Sequence, residues 1–105
     1  MPRHTQEEKH SISICLLSMK LLLSGCMSLK QKRSLLQPVL TRLHKEFNVS
    51  AAEIGFNDIW KSSLVGIVII SNDVNHNVRL LNNVVNFVEM NFPEIQVEEF
   101  QISTE

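Results

Sequence analysis

An α+β domain with elements in the order strand–helix–strand–strand–helix–strand is predicted by three features of this 105-residue chain. Apolar stretches with the length of strands lie at residues 12–23, 49–56, 63–70 and 95–102. Two longer stretches between them carry apolar residues at helical spacing. Each of these opens on a side chain suited to helix capping, Ser28 or Asp73.

Residues 1–11 are polar and aperiodic and read as a flexible tail, and residues 12–105 read as one domain. In the first strand Leu17, Met19, Leu21 and Leu23 share one face, and Ser18, Lys20 and Leu22 share the other. Ser24-Gly25 breaks it. Ser28-Leu29-Lys30-Gln31 fits the capping box, in which the serine hydroxyl and the Gln31 side chain each satisfy a free backbone N–H. Leu29, Leu36, Val39, Leu40, Leu43 and Phe47 form the apolar face of the first helix. Pro38 removes one hydrogen bond from its middle and is expected to bend or loosen it. Asn48 is its expected stop.

Ala52, Ile54 and Phe56 line one face of the second strand. Asn57-Asp58-Ile59-Trp60 is the turn into the third, so these two strands form a hairpin. Asp73 caps the second helix, whose stripe is Val74, Val78, Leu81, Val85, Val88 and Phe92. Its other face carries Asn75, Asn77, Asn82, Asn83 and Asn86. Asparagine is a weak helix former, so this helix depends on packing. Pro93 ends it. In the last strand the apolar residues change phase between Val97 and Phe100, which predicts a bulge at Glu98-Glu99. This order within about 90 residues is that of the ferredoxin-like fold: a four-stranded antiparallel sheet, two helices on one face, first and third strands central.

Hydrophobic residues at 44% and charged residues at 20% suit one ordinary globular core. The net charge of −1 is unlike that of a general nucleic-acid binder. The charges are nevertheless segregated. Lys30, Lys32, Arg33, Arg42 and Lys45 lie between residues 28 and 45 with no acid among them, and Glu89, Glu94, Glu98, Glu99 and Glu105 follow with no base. That split marks either a surface for a polyanion or a solvated basic helix beside an acidic strand. Cys15 and Cys26 form no C-x-x-C pair and no disulfide framework, which fits a reducing cytoplasm. Leu23-Ser24-Gly25-Cys26 has the look of a lipoprotein cleavage site. Lys20 within the apolar run, and Glu7 and Glu8 before it, oppose that reading. The run is also too short to cross a bilayer, which takes about 20 residues, so no membrane partner is expected.

The third strand is apolar on both faces, with Leu64, Val68 and Ile70 on one and Val65, Ile67 and Ile69 on the other. Leu16 and Leu22 accompany Ser18 and Lys20 on the second face of the first strand. A one-layer sheet with helices on one side should show water a polar face. A second copy is the expected cover, with Leu16, Leu22, Val65, Ile67 and Ile69 as the dimer face.

Four segments are familiar. Ser28-Leu29-Lys30-Gln31-Lys32-Arg33 resembles the S-L-K-x-K-R stretch of the YlxP-like bacterial proteins, a family of unknown function. Phe47-Asn48-Val49-Ser50-Ala51-Ala52-Glu53 resembles its F-N-V-S-x-A-E, and Asp58-Ile59-Trp60 and Ser71-Asn72-Asp73 fall at its D-x-W and S-N-D stretches. The resemblance spans residues 12–102. It implies a ferredoxin-like fold, a cytosolic location and genes set among those for translation and ribosome maturation. It implies no catalytic residues. The tail, and Gln31 where an acid is usual, are departures from it.

Lys30, Lys32 and Arg33 occupy the first turn of a helix, where each cation is disfavoured by about 0.3–1 kcal/mol. A phosphate bound at the free N–H groups would account for them, and Arg42 and Lys45 would extend the track. The alternative is that their stems cover apolar surface while the heads stay in water. No aromatic ladder accompanies them, and an aliphatic open face argues against base stacking on the sheet. Asp58 and Trp60 are candidate partner contacts, or simply the rim of the hairpin. Asn72-Asp73 reads as a turn and helix cap. His4, His10, His44 and His76 have no partners at metal-ligand spacing. Cys26 and His44 stand about 27 Å apart along one helix at 1.5 Å per residue, so they form no nucleophile pair. There is no glycine-rich phosphate loop and no G-x-S-x-G. The expectation is a non-enzymatic cytoplasmic homodimer without metal, cofactor or small-molecule substrate, whose partner is RNA or a ribosomal component. The rival expectation is a protein-interaction module with no nucleic-acid role.

Overall fold

Strict two-residue alternation makes the first strand the centre of the fold. Cys15, Leu17, Met19 and Leu21 are fully buried, while the residues between them are half-buried. The structure, a computed structural model, describes residues 11–105. Apart from Ser11, the tail expected over residues 1–11 lies outside the described residues. The elements are β1 (Ser13–Leu22), α1 (Leu29–Glu46), β2 (Ser50–Gly55), β3 (Ser62–Ser71), α2 (Val74–Asn91) and β4 (Gln96–Thr104). β1 pairs antiparallel with β3 and β4, and β2 pairs antiparallel with β3, so the sheet order is β2-β3-β1-β4. This is the ferredoxin-like arrangement, with β1 and β3 central.

Both helices pack on one face of the sheet. Leu36, Val39 and Leu43 of α1 and Leu81, Val84, Val85 and Val88 of α2 meet Leu17, Met19, Leu21, Val65 and Ile67 in one core. α1 runs unbroken through Pro38, whose ring is exposed. The Ser28 hydroxyl accepts from the Gln31 N–H at 3.1 Å. The Gln31 side chain reaches one residue further back than a standard capping box, accepting from the Met27 N–H at 2.6 Å.

Asp73 caps α2 by accepting from the N–H groups of Asn75 and His76. Asn77 is fully buried rather than on a solvated asparagine face. Its amide donates to the Ser13 carbonyl at 3.1 Å, and its oxygen accepts from the Ser71 hydroxyl at 2.6 Å. Ser71, Asp73 and Asn77 thus lock the start of α2 to the ends of β1 and β3.

Register decides which residues share the open face. Leu16 lies opposite Val68, and Lys20 opposite Leu64. Directly opposed residues of an antiparallel pair point the same way. Leu16, Leu22, Leu64, Val68 and Ile70 therefore lie on the open face, and Val65, Ile67 and Ile69 are buried beneath the helices. Of the residues expected to form a dimer face, Leu16 and Leu22 lie on the open face, whereas the placement of Val65, Ile67 and Ile69 there is corrected, since all three are buried beneath the helices. Alternation groups residues within a strand, but a one-residue phase choice moves the whole group across the sheet. Ala52 and Ile54 of β2 join the open face. Ile54 lies over Gly66, where an added Cβ would come within 3.0 Å of the Ile54 Cδ1 atom, so the position suits glycine.

The two sheet edges are β2 and β4. In β4, Val97 pairs with Leu21 and Glu99 with Lys20, which leaves Glu98 as the bulged residue. β2 is interrupted between Glu53 and Gly55, and its Ala51 carbonyl lies 3.1 Å from the His44 Nε2 atom of α1.

Candidate interaction site at the α1–hairpin corner

The helix-terminal cations have different fates. Lys32 is 2% exposed, at the bottom of the corner between α1 and the β2–β3 loop. Its ammonium donates to the Phe56 and Ile59 carbonyls, each at 2.7 Å, and lies 2.7 Å from the Glu53 carboxylate. Those three partners use all three protons. The Ser63 hydroxyl donates to the same Glu53 oxygen at 2.7 Å. Lys32 is therefore corrected from phosphate contact to structural anchor, and this is why a base stands against the helix dipole.

Arg42 is also engaged. Its guanidinium stacks 4.8 Å from the Phe87 ring centroid and 5.8 Å from that of Phe92, beside Asn91 and Glu46. It ties α1 to the end of α2. Lys30, Arg33 and Lys45 are exposed. Lys30 and Lys45 stand about 22 Å apart at the helical rise of 1.5 Å per residue. The expected continuous track of Lys30, Lys32, Arg33, Arg42 and Lys45 is thus reduced to separated charges.

The anchored loop carries the corner's exposed groups. Trp60 is 48% exposed, and Ile54, Phe56, Asp58 and Ile59 are exposed beside it in sequence. Phe56 has φ of 59°, the left-handed region in which a side chain is strained. Its carbonyl is one that Lys32 holds. The Lys20 ammonium lies 5.6 Å from the Phe56 ring centroid. Next to the loop, Leu29, Lys32, Arg33, Leu36, Glu53, Asn57 and Asp58 line a cleft of about 220 Å³. Its Lys32 and Glu53 charges are paired with each other. Among the described residues no three His, Cys, Asp or Glu side chains lie together to hold a metal. Cys15 and Cys26 are free thiols, both buried. No helix of the described residues is long and apolar enough to cross a membrane.

Sequence reasoning singled out Lys32 and Trp60 but missed Glu53, Ser63 and the backbone of Phe56. The available signal was Glu53 itself, one carboxylate in a strand of small and apolar residues, which calls for a buried cation.

Residues 14–102 match the profile of the family described as "Protein of unknown function (DUF503)". The chain belongs to the DUF503 family. A relative, the "Uncharacterized protein YlxP" of Bacillus subtilis (strain 168), is 41% identical over 69 residues, covering 66% of this chain and 74% of the Bacillus protein. Neither description assigns an activity. In this DUF503 chain three of the four segments that resemble the YlxP-like proteins meet at one corner, through Lys32, Glu53 and the carbonyl of Ile59. The fourth, Ser71-Asn72-Asp73, secures α2.

Proposed function

We propose that this DUF503 chain is a non-catalytic cytosolic accessory factor that works as a homodimer and binds a protein partner through the corner at Phe56, Ile59 and Trp60. The observation that carries the reading is Phe56. An aromatic in left-handed backbone costs about 1–2 kcal/mol over glycine in that region, and Phe56 still leaves 41% of its surface exposed. Strain of this kind collects where a side chain is kept for contact. Lys32 holds the loop in place, so an incoming partner meets ordered aromatic and aliphatic groups, the types that anchor interfaces.

RNA or a ribosomal component, the leading expectation from sequence, becomes the second reading, supported by Lys30, Arg33 and Lys45 alone. Affinity capture of tagged chain, with and without nuclease, separates the two. Capture that survives nuclease and is lost in an Ile59→Ser/Trp60→Ala variant supports the protein contact. Capture abolished by nuclease and by a Lys30/Arg33/Lys45 triple alanine variant overturns it in favour of RNA.

A further inference from the structure

We infer that the open sheet face is covered by a second copy of this chain, sheet against sheet, about a two-fold axis that lies between the sheets and runs obliquely from the aliphatic part of β3 to the Lys20–Glu99 pair of β1 and β4. This rests on the reading of the chain as a homodimeric interaction module, but it is tested at Val68 and Ile70 of β3 rather than at Ile59 and Trp60, so the two fail separately. Along β3 the open face is aliphatic. Ile54, Val68 and Ile70 are exposed there, Ile70 at 64%, and Leu16 and Leu64 are half-buried between them. A sheet face left in water is ordinarily polar. Strands of 6, 10, 10 and 9 residues, at about 4.8 Å spacing and about 3.4 Å rise, give a flat area of roughly 570 Å². Side-chain relief adds to that, toward the ~800 Å² per partner of a standard interface.

Charge selects the occupant. On the β1–β4 side of the same face Lys20 lies 3.4 Å from the Glu98 carboxylate and opposite Glu99 in register. Both signs are therefore present on one patch. A two-fold mate sets aliphatic residues on aliphatic residues and lays each Lys20 beside the other copy's carboxylates. A phosphate backbone or an anionic lipid surface would instead meet Glu98 and Glu99.

Static light scattering of the full chain at low micromolar concentration tests this. Twice the chain mass is expected. Val68→Asp and Ile70→Glu should each return the mass to that of one chain with unchanged far-ultraviolet circular dichroism. Because Cys15 and Cys26 are buried, a cysteine introduced at Val68 provides a single accessible thiol. Val68→Cys should cross-link through a short bis-maleimide under native conditions, and Lys45→Cys on the helix side should not. This cross-link keeps the test decisive if a charge variant unfolds. A wild-type monomer, a dimer that survives both charge variants, or equal cross-linking at Lys45 would each overturn the proposal. Trp60→Ala should leave the mass unchanged.

Discussion

The Lys32 ammonium lies 2.7 Å from the Glu53 carboxylate, and the pair sits beneath a loop whose backbone it also binds. An ion pair this buried adds little net stability, because removing both charges from water offsets most of their attraction. What it supplies is position. Three segments distant in sequence are held together, and the loop between β2 and β3 is tied down at Phe56 and Ile59, next to Trp60.

Lys32→Met should destabilise the chain by about 3–5 kcal/mol, since it leaves the Glu53 charge unpaired in the corner. The carbonyls of Phe56 and Ile59 lose their donor as well. Adding Glu53→Leu should restore more than half of the loss. Urea unfolding of both single variants, the double variant and wild type checks this. Losses that simply add would refute the coupling.

Phe56→Gly should leave stability unchanged or raise it by up to about 1 kcal/mol, because glycine takes up left-handed backbone without strain. The same variant should weaken partner capture several-fold. A clear fall in the urea midpoint would show that the ring serves packing instead.

Asn77→Ala should cost about 1–3 kcal/mol, because the Ser13 carbonyl and the Ser71 hydroxyl lose buried partners. Asp73→Ala should cost about 1 kcal/mol by removing the helix cap. Hydrogen exchange should speed up in the first turn of α2 in both variants and stay unchanged in α1.

The Lys30/Arg33/Lys45 triple alanine variant should unfold within about 0.5 kcal/mol of wild type, as expected of exposed positions. Lys32 has no place in that variant, since its loss would report on folding. Filter binding to a mixed RNA pool across salt concentrations should show no difference from wild type. A reduced salt slope would instead restore the polyanion reading.

The fold was legible because its signals are local. Alternation along residues 13–22, the caps at Ser28 and Asp73, and the phase change that marks the bulge at Glu98 can each be seen within a few residues. The candidate site was less legible because its physics is long-range. Nothing near Lys32 in sequence reveals that Glu53, 21 positions later, neutralises it. Nothing near Val68 reveals that it stands opposite Leu16. Asn77 looks like one of several surface asparagines until register brings Ser13 beside it.

The two sheet edges limit how copies of the chain could associate. At β4 the bulged Glu98 interrupts the hydrogen-bonding row and Glu99 adds a second charge. At β2 the row is interrupted after Glu53, and His44 occupies the Ala51 carbonyl. Strand-to-strand addition, which can repeat without limit and lead to fibres, is disfavoured at both ends. Association through the sheet's face, by contrast, is complete once two copies have met. A concentrated solution of this chain should therefore stay clear and bind no amyloid dye, despite the aliphatic patch it carries.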